Sequence, residues 1–489
     1  MASERLTYNH TPIEKQGKPL NTAYEQSISD LKDKGLPQTT LVPEEQLKPN
    51  MPNIWRISRD TLPKIWIPNP DVVQHFVKAT KADVGGVGGH VEVSKRTQVE
   101  VLDHVLRHNR ITIKGEDRPI FKSVIATHTG DDVAITGVMD DKVMEYEGAV
   151  DELLWDAFKR GEQVAIEDGL YAPGQDLKAD AFSGNIHGLG PATVVLPLPV
   201  RDRNFSQSVL MATADKAEPG IYNYLTTGAY LDPNYNTGLL IAESKMRNGY
   251  VFEIVDVDTK AQALDAGASR ENLNQQMKEH GQTERYILLK GPEDYYDIGA
   301  LTMASSRYVI ARVYSRDENG KIDKDPGVVV SAERLHNIET SRGFTYGGKD
   351  DPVMLALAQG DWPAPGEIAS PIAKTPLVRG DCRGSHNLNV YPMPINEQTS
   401  FWSGPIMSII TMSINIKTGR IGDISDQFAR GTPWDTYRDQ AAVKMAEFRA
   451  SHGYQQPGTL PTDEMEYQPG FNLRIARMGK IFQRRSPTT

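Results

Sequence analysis

One short stretch in the second half of the chain places an amine, a phenol and two carboxylates close together. Tyr346 precedes Lys349 by three residues, Asp350 and Asp351 follow directly, and the glycines at 347–348 allow a tight turn. A lysine that forms a Schiff base needs a lowered pKa or a neighbouring proton carrier, which Tyr346 would supply. Adjacent carboxylates suit Mg²⁺. The stretch predicts carbonyl chemistry beside a metal, and the alternative is a solvated surface ion pair.

Other acids stand where predicted strands begin or end. Asp131 and Asp132 precede an apolar run at 133–138, and Asp215 and Lys216 follow another predicted strand. Neighbouring carboxylates repel each other, and a shared divalent cation would offset that repulsion. We therefore predict a metal near the first pair, with a plain acidic turn as the alternative. The Asp-Lys pair suits a metal and a phosphate together.

Glycine-rich and polar loops add further candidate ligands. The segment 81–90 carries Asp83 and His90, but it lacks the Gly-Lys-Ser/Thr ending of a phosphate loop. It also lacks the strand–turn–helix context of a dinucleotide fingerprint. We interpret it as a loop that holds one acid and one imidazole near a ligand. Segment 169–176 offers several ligand-competent side chains, and the amides of 183–185 suit oxyanions.

Composition excludes several classes of protein. The chain has 489 residues, 39% of them hydrophobic and 24% charged, as in an ordinary soluble globular protein. Its net charge of −10 argues against general nucleic-acid binding. A single cysteine, Cys382, excludes a disulfide framework and a Cys-rich zinc site, and fits the cytoplasm. The longest apolar run, 192–200, is too short for a membrane helix, and residues 1–10 lack a signal-peptide core.

The chain divides into three parts by composition. Residues 1–70 hold nine prolines and no sustained period, so we predict an extended N-terminal arm that wraps a neighbouring subunit, with a disordered tail as the alternative. Residues 71–470 are predicted to form one large folded domain, interrupted at 258–285 by a polar, helix-prone surface insertion. Residues 471–489 are predicted to form a basic C-terminal tail that is solvated or docked, with a nucleic-acid contact as the alternative.

Periodicity predicts the elements that position these residues. Ser94 is the expected N-cap of a helix whose apolar stripe is Val99, Leu102 and Leu106, and Gly169 is placed to end a later helix. Helices are predicted at 150–167 and 436–450, and strands at 111–113, 133–138, 208–214, 238–242, 250–257, 307–314, 327–331 and 410–416.

Taken together, these motifs resemble the bifunctional fructose-1,6-bisphosphate aldolase/phosphatases of archaea and deep-branching bacteria. The resemblance covers about residues 78–470 and is specific, because eight motifs occur in the family's order. They are KADVGGVGGH, HTGDD, GLYAPGQDL, FSGN, ADKAEPG, YGGKDDPVM, RGSH and DEMEY. The resemblance implies an α/β fold, arranged as a four-layer α-β-β-α sandwich in a single large catalytic domain, and assembly as a homo-octamer.

The resemblance also implies two reactions at one remodelled active site. Lys349 would form a Schiff base with dihydroxyacetone phosphate, and Tyr346 would move protons as glyceraldehyde 3-phosphate adds. Several Mg²⁺ ions would then activate water against the C1 phosphate of fructose 1,6-bisphosphate, giving fructose 6-phosphate for gluconeogenesis. The implied metal ligands are Asp83, Asp131, Asp132, Gln175, Asp215, Asp350 and Asp351. The implied substrate-binding residues are His90, Tyr171, Gly184, Asn185, Lys216, Gln359, Arg383 and Tyr467.

Two departures from the family pattern bear on specificity. Ser403 stands where family members carry an acid that contacts the sugar phosphate, and Asn387 replaces an expected aromatic residue. One alternative function is therefore a Mg²⁺-dependent sugar-phosphate phosphatase or aldolase of altered specificity. A second is a non-catalytic oligomeric scaffold that keeps metals for structure. Tyr346 and Lys349 argue against the scaffold, because structural metal sites do not need them.

Overall fold

A computed structural model of the chain describes twelve main stretches. These are residues 73–89, 91–177, 191–200, 206–218, 220–232, 243–258, 285–305, 307–333, 352–374, 387–398, 405–452 and 477–484, with residues 378–379 and a few isolated positions between 235 and 272. The predicted arm at 1–70, the predicted strand at 238–242 and most of the predicted insertion at 258–285 lie outside these residues.

The described residues form twenty strands and eight α-helices. In chain order the strands are β1 (His75–Asp83), β2 (Gly86–Val87), β3 (Glu92–Val93), β4 (Ile111–Ile113), β5 (Glu116–Arg118), β6 (Ser123–Thr129), β7 (Asp132–Asp140), β8 (Ala192–Pro197), β9 (Ser206–Asp215), β10 (Tyr250–Asp256), β11 (Arg285–Gly291), β12 (Tyr308–Ser315), β13 (Val328–Ala332), β14 (Val353–Ala358), β15 (Val378–Arg379), β16 (Asn387–Leu388), β17 (Tyr391–Pro392), β18 (Ile406–Asn415), β19 (Arg420–Asp426) and β20 (Gln483–Arg484). The helices are α1 (Lys95–Arg107), α2 (Asp141–Met144), α3 (Glu147–Glu167), α4 (Asn223–Tyr230), α5 (Ser244–Arg247), α6 (Tyr295–Thr302), α7 (Pro365–Ala369) and α8 (Trp434–His452). Short 3-10 turns cover Gln175–Leu177 and Ser370–Lys374.

The smaller of the two main sheets has four antiparallel strands in the order β6-β7-β1-β8. Strand β1, one of its two interior strands, is not predicted by the sequence pattern, because Lys78 and Lys81 interrupt its apolar residues. All nine residues of β1 are nevertheless buried, and both lysines are held in ion pairs with carboxylates. Polar residues can occupy a buried strand when each is paired in this way.

The larger sheet has ten strands. Nine follow the order β17-β18-β9-β14-β13-β12-β10-β11-β20, and β19 pairs with β18. The pairs are antiparallel except for β17 with β18. Strand β9 lies inside this sheet, where it pairs with β14 on one side and β18 on the other. The described residues thus combine helices with mainly antiparallel sheets, as in the predicted α/β fold class.

Each face of the small sheet belongs to a different hydrophobic cluster. On one face, Phe76 and Ile135 pack in a cluster that includes Val101 of α1 and Phe158 of α3. The other face contributes Val77 and other residues to a cluster shared with β9 and β14 of the large sheet. The same larger cluster takes in buried residues of α4 and α6. Period-two alternation along β1 therefore separates a helix-facing side from a side that faces the second sheet.

The predicted stripe on α1 is wrong, although the helix itself is confirmed. Val99 and Leu106 are 64% and 55% exposed, whereas Val101 and Val105 are buried. The reason is the neighbouring helix α3, where a Cβ on Gly161 would lie only 2.7 Å from the Val101 side chain. The close approach of the two helices selects the Val101 face, which a single helix pattern does not reveal.

Other predicted elements are confirmed. Helix α3 contains the predicted 150–167 segment, its apolar stripe is buried, and Gly169 follows it with a φ of +65°. Strand β18 buries the alternating residues Ile410, Met412 and Ile414. In the tail, Met478 is fully buried and β20 pairs with β11. None of the helices among the described residues is long and apolar enough to cross a membrane.

Candidate functional site

Four aspartates gather where the two sheets meet at one edge. Asp83 ends β1, Asp131 lies in the turn between β6 and β7, Asp132 begins β7, and Asp215 ends β9. Across the small sheet, Asp83 pairs directly with Asp132. A hydrogen bond of 2.6 Å between the hydroxyls of Thr129 and Thr213 links the two sheets beside them. The predicted association of these acids is thus present in the fold.

Three of these acids form a compact buried group. Ligand atoms of Asp83, Asp131 and Asp132 all lie within 4.8 Å of one another. The three residues are only 4%, 2% and 2% exposed. Such a group could hold a metal ion, because a cation offsets the repulsion between carboxylates that water does not reach.

Glycines allow the acids to approach so closely. Gly130 has a φ of +61°, and a Cβ there would lie 1.8 Å from Oδ2 of Asp215. At Gly86, a Cβ would lie 3.0 Å from Oδ2 of Asp131 and 2.1 Å from a backbone oxygen. Any larger residue at either position would push the acids apart, so the glycines belong to the construction of the site.

Burial and mutual repulsion shape the electrostatics of the site. Burial raises the pKa of Asp83 well above its usual value, and the charges of Asp131 and Asp132 raise it further. Burial also raises the pKa of Asp215, against the attraction of the neighbouring Lys216. A bound divalent cation would stabilise the ionised form of these carboxylates, so their protons would be released to solvent when the cation binds.

Two buried lysines contact the acids. The Lys216 ammonium donates to Oδ1 of Asp131 at 3.0 Å and to Oδ2 of Asp215 at 2.5 Å. Burial alone would lower the pKa of Lys216, but the charges of Asp131 and Asp215 outweigh it and hold that pKa well above its usual value. Lys216 also has a left-handed φ of +57°, unusual for a residue with a side chain. Lys81, which is fully buried, donates to Oδ2 of Asp132.

Asp176 approaches the group from the turn after α3, and Gln175 precedes it in the same turn. Oε1 of Gln175 is buried and accepts no hydrogen bond from the residues that the structure describes. An acceptor left without a donor is costly unless something else satisfies it, and a metal ion would do so. Asp176 is fully buried and accepts a hydrogen bond of 2.9 Å from the backbone N–H of Asp83. An all-oxygen donor set of this kind fits a hard divalent cation.

The structure brings two further predicted residues to different places. Tyr171 exchanges backbone hydrogen bonds of 3.0 Å with Gly86 beside the acids, and its side chain is 41% exposed. Gln359 follows β14 at the end that pairs with Ser208, whereas Asp215 lies near the other end of the same pair of strands. Gln359 is exposed and does not join the aspartates. Its role in substrate binding stays a prediction.

The remaining predicted site residues lie outside the part of the chain that the structure describes. They are His90, Gly184, Asn185, Tyr346, Lys349, Asp350, Asp351, Arg383 and Tyr467, and Ser403 lies outside it as well.

Lys81 and Asp176 contact the acids but were not among the predicted site residues. Both stand inside quoted motifs, two residues before Asp83 and directly after Gln175. Residues i and i+2 of a strand share a face, so recognition of β1 would have placed Lys81 beside Asp83. For Asp176 the sequence carries no comparable signal, because its contact is with a backbone N–H distant in the chain.

The sequence is similar to known proteins of one family. The family model described as fructose-1,6-bisphosphatase matches residues 75–483. A protein of Ignicoccus hospitalis named fructose-1,6-bisphosphate aldolase/phosphatase is 34% identical over 80% of this chain and 88% of its own length. Proteins of the same name from Thermus thermophilus and Methanothermobacter marburgensis are each 33% identical, over 82% and 83% of this chain and 98% of their own lengths.

Proposed function

The chain belongs to the fructose-1,6-bisphosphate aldolase/phosphatase family, and from this premise we propose that it catalyses both reactions in that name. It condenses dihydroxyacetone phosphate with glyceraldehyde 3-phosphate and hydrolyses the C1 phosphate of the resulting fructose 1,6-bisphosphate. The product is fructose 6-phosphate, and the metabolic setting is gluconeogenesis. The observation that carries the proposal is the buried group of Asp83, Asp131 and Asp132 within the family match.

The phosphatase half rests on residues that the structure describes. Bound Mg²⁺, the cation that we propose for this site, would supply a Lewis acid and an activated water. Asp83, Asp131, Asp132 and Asp215 would hold the cations, and the buried Oε1 of Gln175 would add a neutral ligand. Seclusion between the sheets keeps bulk water from these carboxylates, which strengthens their interaction with a cation.

Lys216 would bind a phosphate oxygen of the substrate. Its ammonium lies 3.0 Å from Asp131 and 2.5 Å from Asp215, so it stands among the groups that would hold the metals. A phosphate that bridges the cations and this ammonium would be bound by charge on two sides. His90, Tyr171, Gly184, Asn185, Arg383 and Tyr467 would complete the contacts with substrate.

The aldolase half rests on Lys349 and Tyr346. Lys349 would form the imine with the ketone of dihydroxyacetone phosphate, and Tyr346 would carry the protons that create and quench the enamine. Asp350 and Asp351, directly after the lysine, would join the metal ligands, so that the two reactions share one site.

We infer the larger organisation from the family as well. The hydrophobic clusters on both faces of the small sheet support a four-layer α-β-β-α sandwich.

We propose a cytoplasmic homo-octamer in which residues 1–70 wrap a neighbouring subunit. Deletion of 1–70 should lower the mass or the melting temperature of the assembly and spare hydrolysis; an unchanged mass and melting temperature would refute the wrapping role.

The test of both activities is incubation of the purified full chain with the two triose phosphates and Mg²⁺. Fructose 6-phosphate and free phosphate should appear together. Excess EDTA should abolish phosphate release, because the clustered carboxylates then lack their cations. Full activity in EDTA, with no tightly held metal found by elemental analysis, would exclude the metal mechanism.

The variant Lys349→Arg separates the two reactions, because it keeps a positive charge but cannot form an imine. Condensation should vanish while hydrolysis of fructose 1,6-bisphosphate survives at a reduced rate. Borohydride trapping with dihydroxyacetone phosphate should label the wild type alone. Labelling of the variant would mean that another lysine forms the imine.

Altered specificity is the second candidate function, and Ser403 is the observation that favours it. Loss of one polar contact typically costs about 0.5–1.5 kcal/mol, so discrimination among sugar phosphates should weaken by about 2- to 10-fold. Comparison of kcat/KM for a panel of sugar phosphates, on wild type and Ser403→Asp, tests this. Identical ratios in both proteins would show that Ser403 does not set specificity.

A further inference from the structure

We propose that Lys81 is a positioning residue that fixes the carboxylate of Asp132 and thereby sets the affinity of the site for divalent cations. The inference rests on the proposed function only in taking Asp132 to be a metal ligand. Neither the sequence motifs nor the family resemblance assigns a role to Lys81.

Strand β1 places Lys81 on the side of the sheet that carries the acids. Lys81 and Asp83 lie on the same side of the strand, and Asp83 pairs across the sheet with Asp132. The Lys81 ammonium contacts Oδ2 of Asp132, so this lysine holds one oxygen of a carboxylate that belongs to the buried acid group. Lys216 differs, because it contacts Asp131 and Asp215 at the end of β9.

Burial makes this contact rigid. Lys81 has no exposed surface and the Asp132 side chain is only 3% exposed. A buried ammonium that loses its partner is strongly destabilising, so Asp132 cannot turn away from Lys81 without a large cost. A carboxylate with one oxygen held in such a contact keeps a constant orientation. Outer partners of metal ligands act in this way, and their loss typically lowers metal affinity or activity about 10- to 100-fold.

Strand β1 supplies its own control in Lys78. This lysine is also buried, and its ammonium contacts Glu147 at 2.6 Å and Asp151 at 2.8 Å. It points to the opposite side of the strand, toward helix α3 and away from the aspartates. Replacement of Lys78 or Lys81 by methionine removes one buried ammonium group from the same strand and leaves an uncharged side chain of similar length. Only Lys81 contacts a proposed metal ligand.

The experiment compares Lys81→Met, Lys78→Met and wild type as full chains. Isothermal titration of EDTA-stripped protein with Mg²⁺, and with Mn²⁺ as a second probe, measures the affinity, and melting in EDTA measures stability. We expect Lys81→Met to bind both cations about 10- to 100-fold more weakly. Lys78→Met should bind both cations as tightly as wild type does, even if its melting temperature is lowered as much as that of Lys81→Met. Lys81→Arg, which keeps the charge, should recover part of the affinity.

Two results would overturn the proposal. Unchanged or tighter binding by Lys81→Met would mean that Lys81 does not position a ligand, and equal losses in both methionine variants would mean that stability alone is at work. Because binding is measured without substrate, a wild type that binds cations but does not hydrolyse fructose 1,6-bisphosphate would contradict the proposed function while still testing Lys81.

Discussion

Strand β1 carries a buried lysine on each of its faces, and the charges that surround the two lysines differ. Toward the large sheet, four carboxylates (Asp83, Asp131, Asp132 and Asp215) stand with two ammonium groups, and all four acids are almost fully buried. Toward the helices, Lys78 stands with Glu147 and Asp151, and the Asp151 side chain is 40% exposed. Both groups hold more acids than lysines, but only the first is sealed from water.

The two groups therefore dispose of their excess negative charge in different ways. Beside the helices, water solvates Asp151, and burial raises the pKa of Glu147 to about 7, so that a proton can neutralise it near neutral pH. Between the sheets, water has little access and the acids repel one another, so a bound divalent cation would neutralise negative charge that solvent does not screen. A sealed excess of carboxylates is thus the better sign of a functional site than buried charge alone.

The largest expected effect comes from removing one charge of the sealed group. Asp83→Asn keeps an oxygen to accept the 2.9 Å hydrogen bond from the Gly85 N–H but cannot ionise. Hydrolysis of fructose 1,6-bisphosphate should fall by more than about 100-fold, since loss of a ligand should exceed the loss of an outer partner.

Stability of Asp83→Asn in EDTA should hold or rise, because the variant relieves repulsion among buried acids. Steady-state kinetics and thermal melting measure both quantities, with Asp103→Asn on the exposed face of α1 as the control. A destabilised Asp83→Asn protein with intact hydrolysis would reverse the roles that the comparison gives to the two groups.

The second effect concerns the proton on Glu147. Between the ordinary pKa of 4.5 and about 7, the folded carboxyl still binds a proton that the unfolded chain has lost. Raising the pH through this window therefore favours unfolding, and the free energy of unfolding should fall, on the order of 1–3 kcal/mol. In Glu147→Gln that part of the pH dependence should disappear.

Urea denaturation in EDTA from pH 4.5 to 8 measures the difference between wild type and variant, in which contributions common to both cancel. Asp151→Asn is the matched control, because it removes the other carboxylate from the Lys78 ammonium. An equal change of slope in Asp151→Asn would assign the pH dependence to the whole group instead of to Glu147.

The smallest effect is expected at Gln175. Its Oε1 lacks a hydrogen-bond donor among the described residues, so Gln175→Leu should leave melting in EDTA unchanged or raise it. Affinity for Mg²⁺ should drop by about 10-fold, or about 1.4 kcal/mol, because one neutral ligand is lost. Titration calorimetry provides the measurement. Lower stability in EDTA with full affinity would place Gln175 among the packing residues instead.

The sequence predicts the acids of the site better than their surroundings. Asp131, Asp132 and Asp215 stand next to apolar strands, and paired carboxylates in such positions signal a cation without knowledge of the fold. Strand β1 escapes prediction, because Lys78 and Lys81 break its apolar alternation and their partners lie far away in sequence. The pattern of single residues does not show which buried charges will meet.

Helix α1 and Gln359 show the same limit. The pattern of α1 allows two apolar stripes, and contact with Gly161 of α3 selects the one through Val101. The family resemblance implies that Gln359 contacts the substrate, but the antiparallel pairing of β14 with β9 places it at the opposite end of these strands from Asp215. Both outcomes depend on contacts between segments, which local sequence does not encode.

The order of the strands has a consequence for how the protein acquires its site during synthesis. Every strand of the small sheet lies within residues 75–197, whereas β9 must wait for β14 and for β18 at Ile406–Asn415. Contacts that are distant in sequence form slowly, and chains fold from their N-terminal part as they emerge. We therefore expect Asp83, Asp131 and Asp132 to gather on the nascent chain before Asp215 arrives. Pulse-labelling hydrogen exchange during refolding should find the amides of β1 and β7 protected ahead of those of β9.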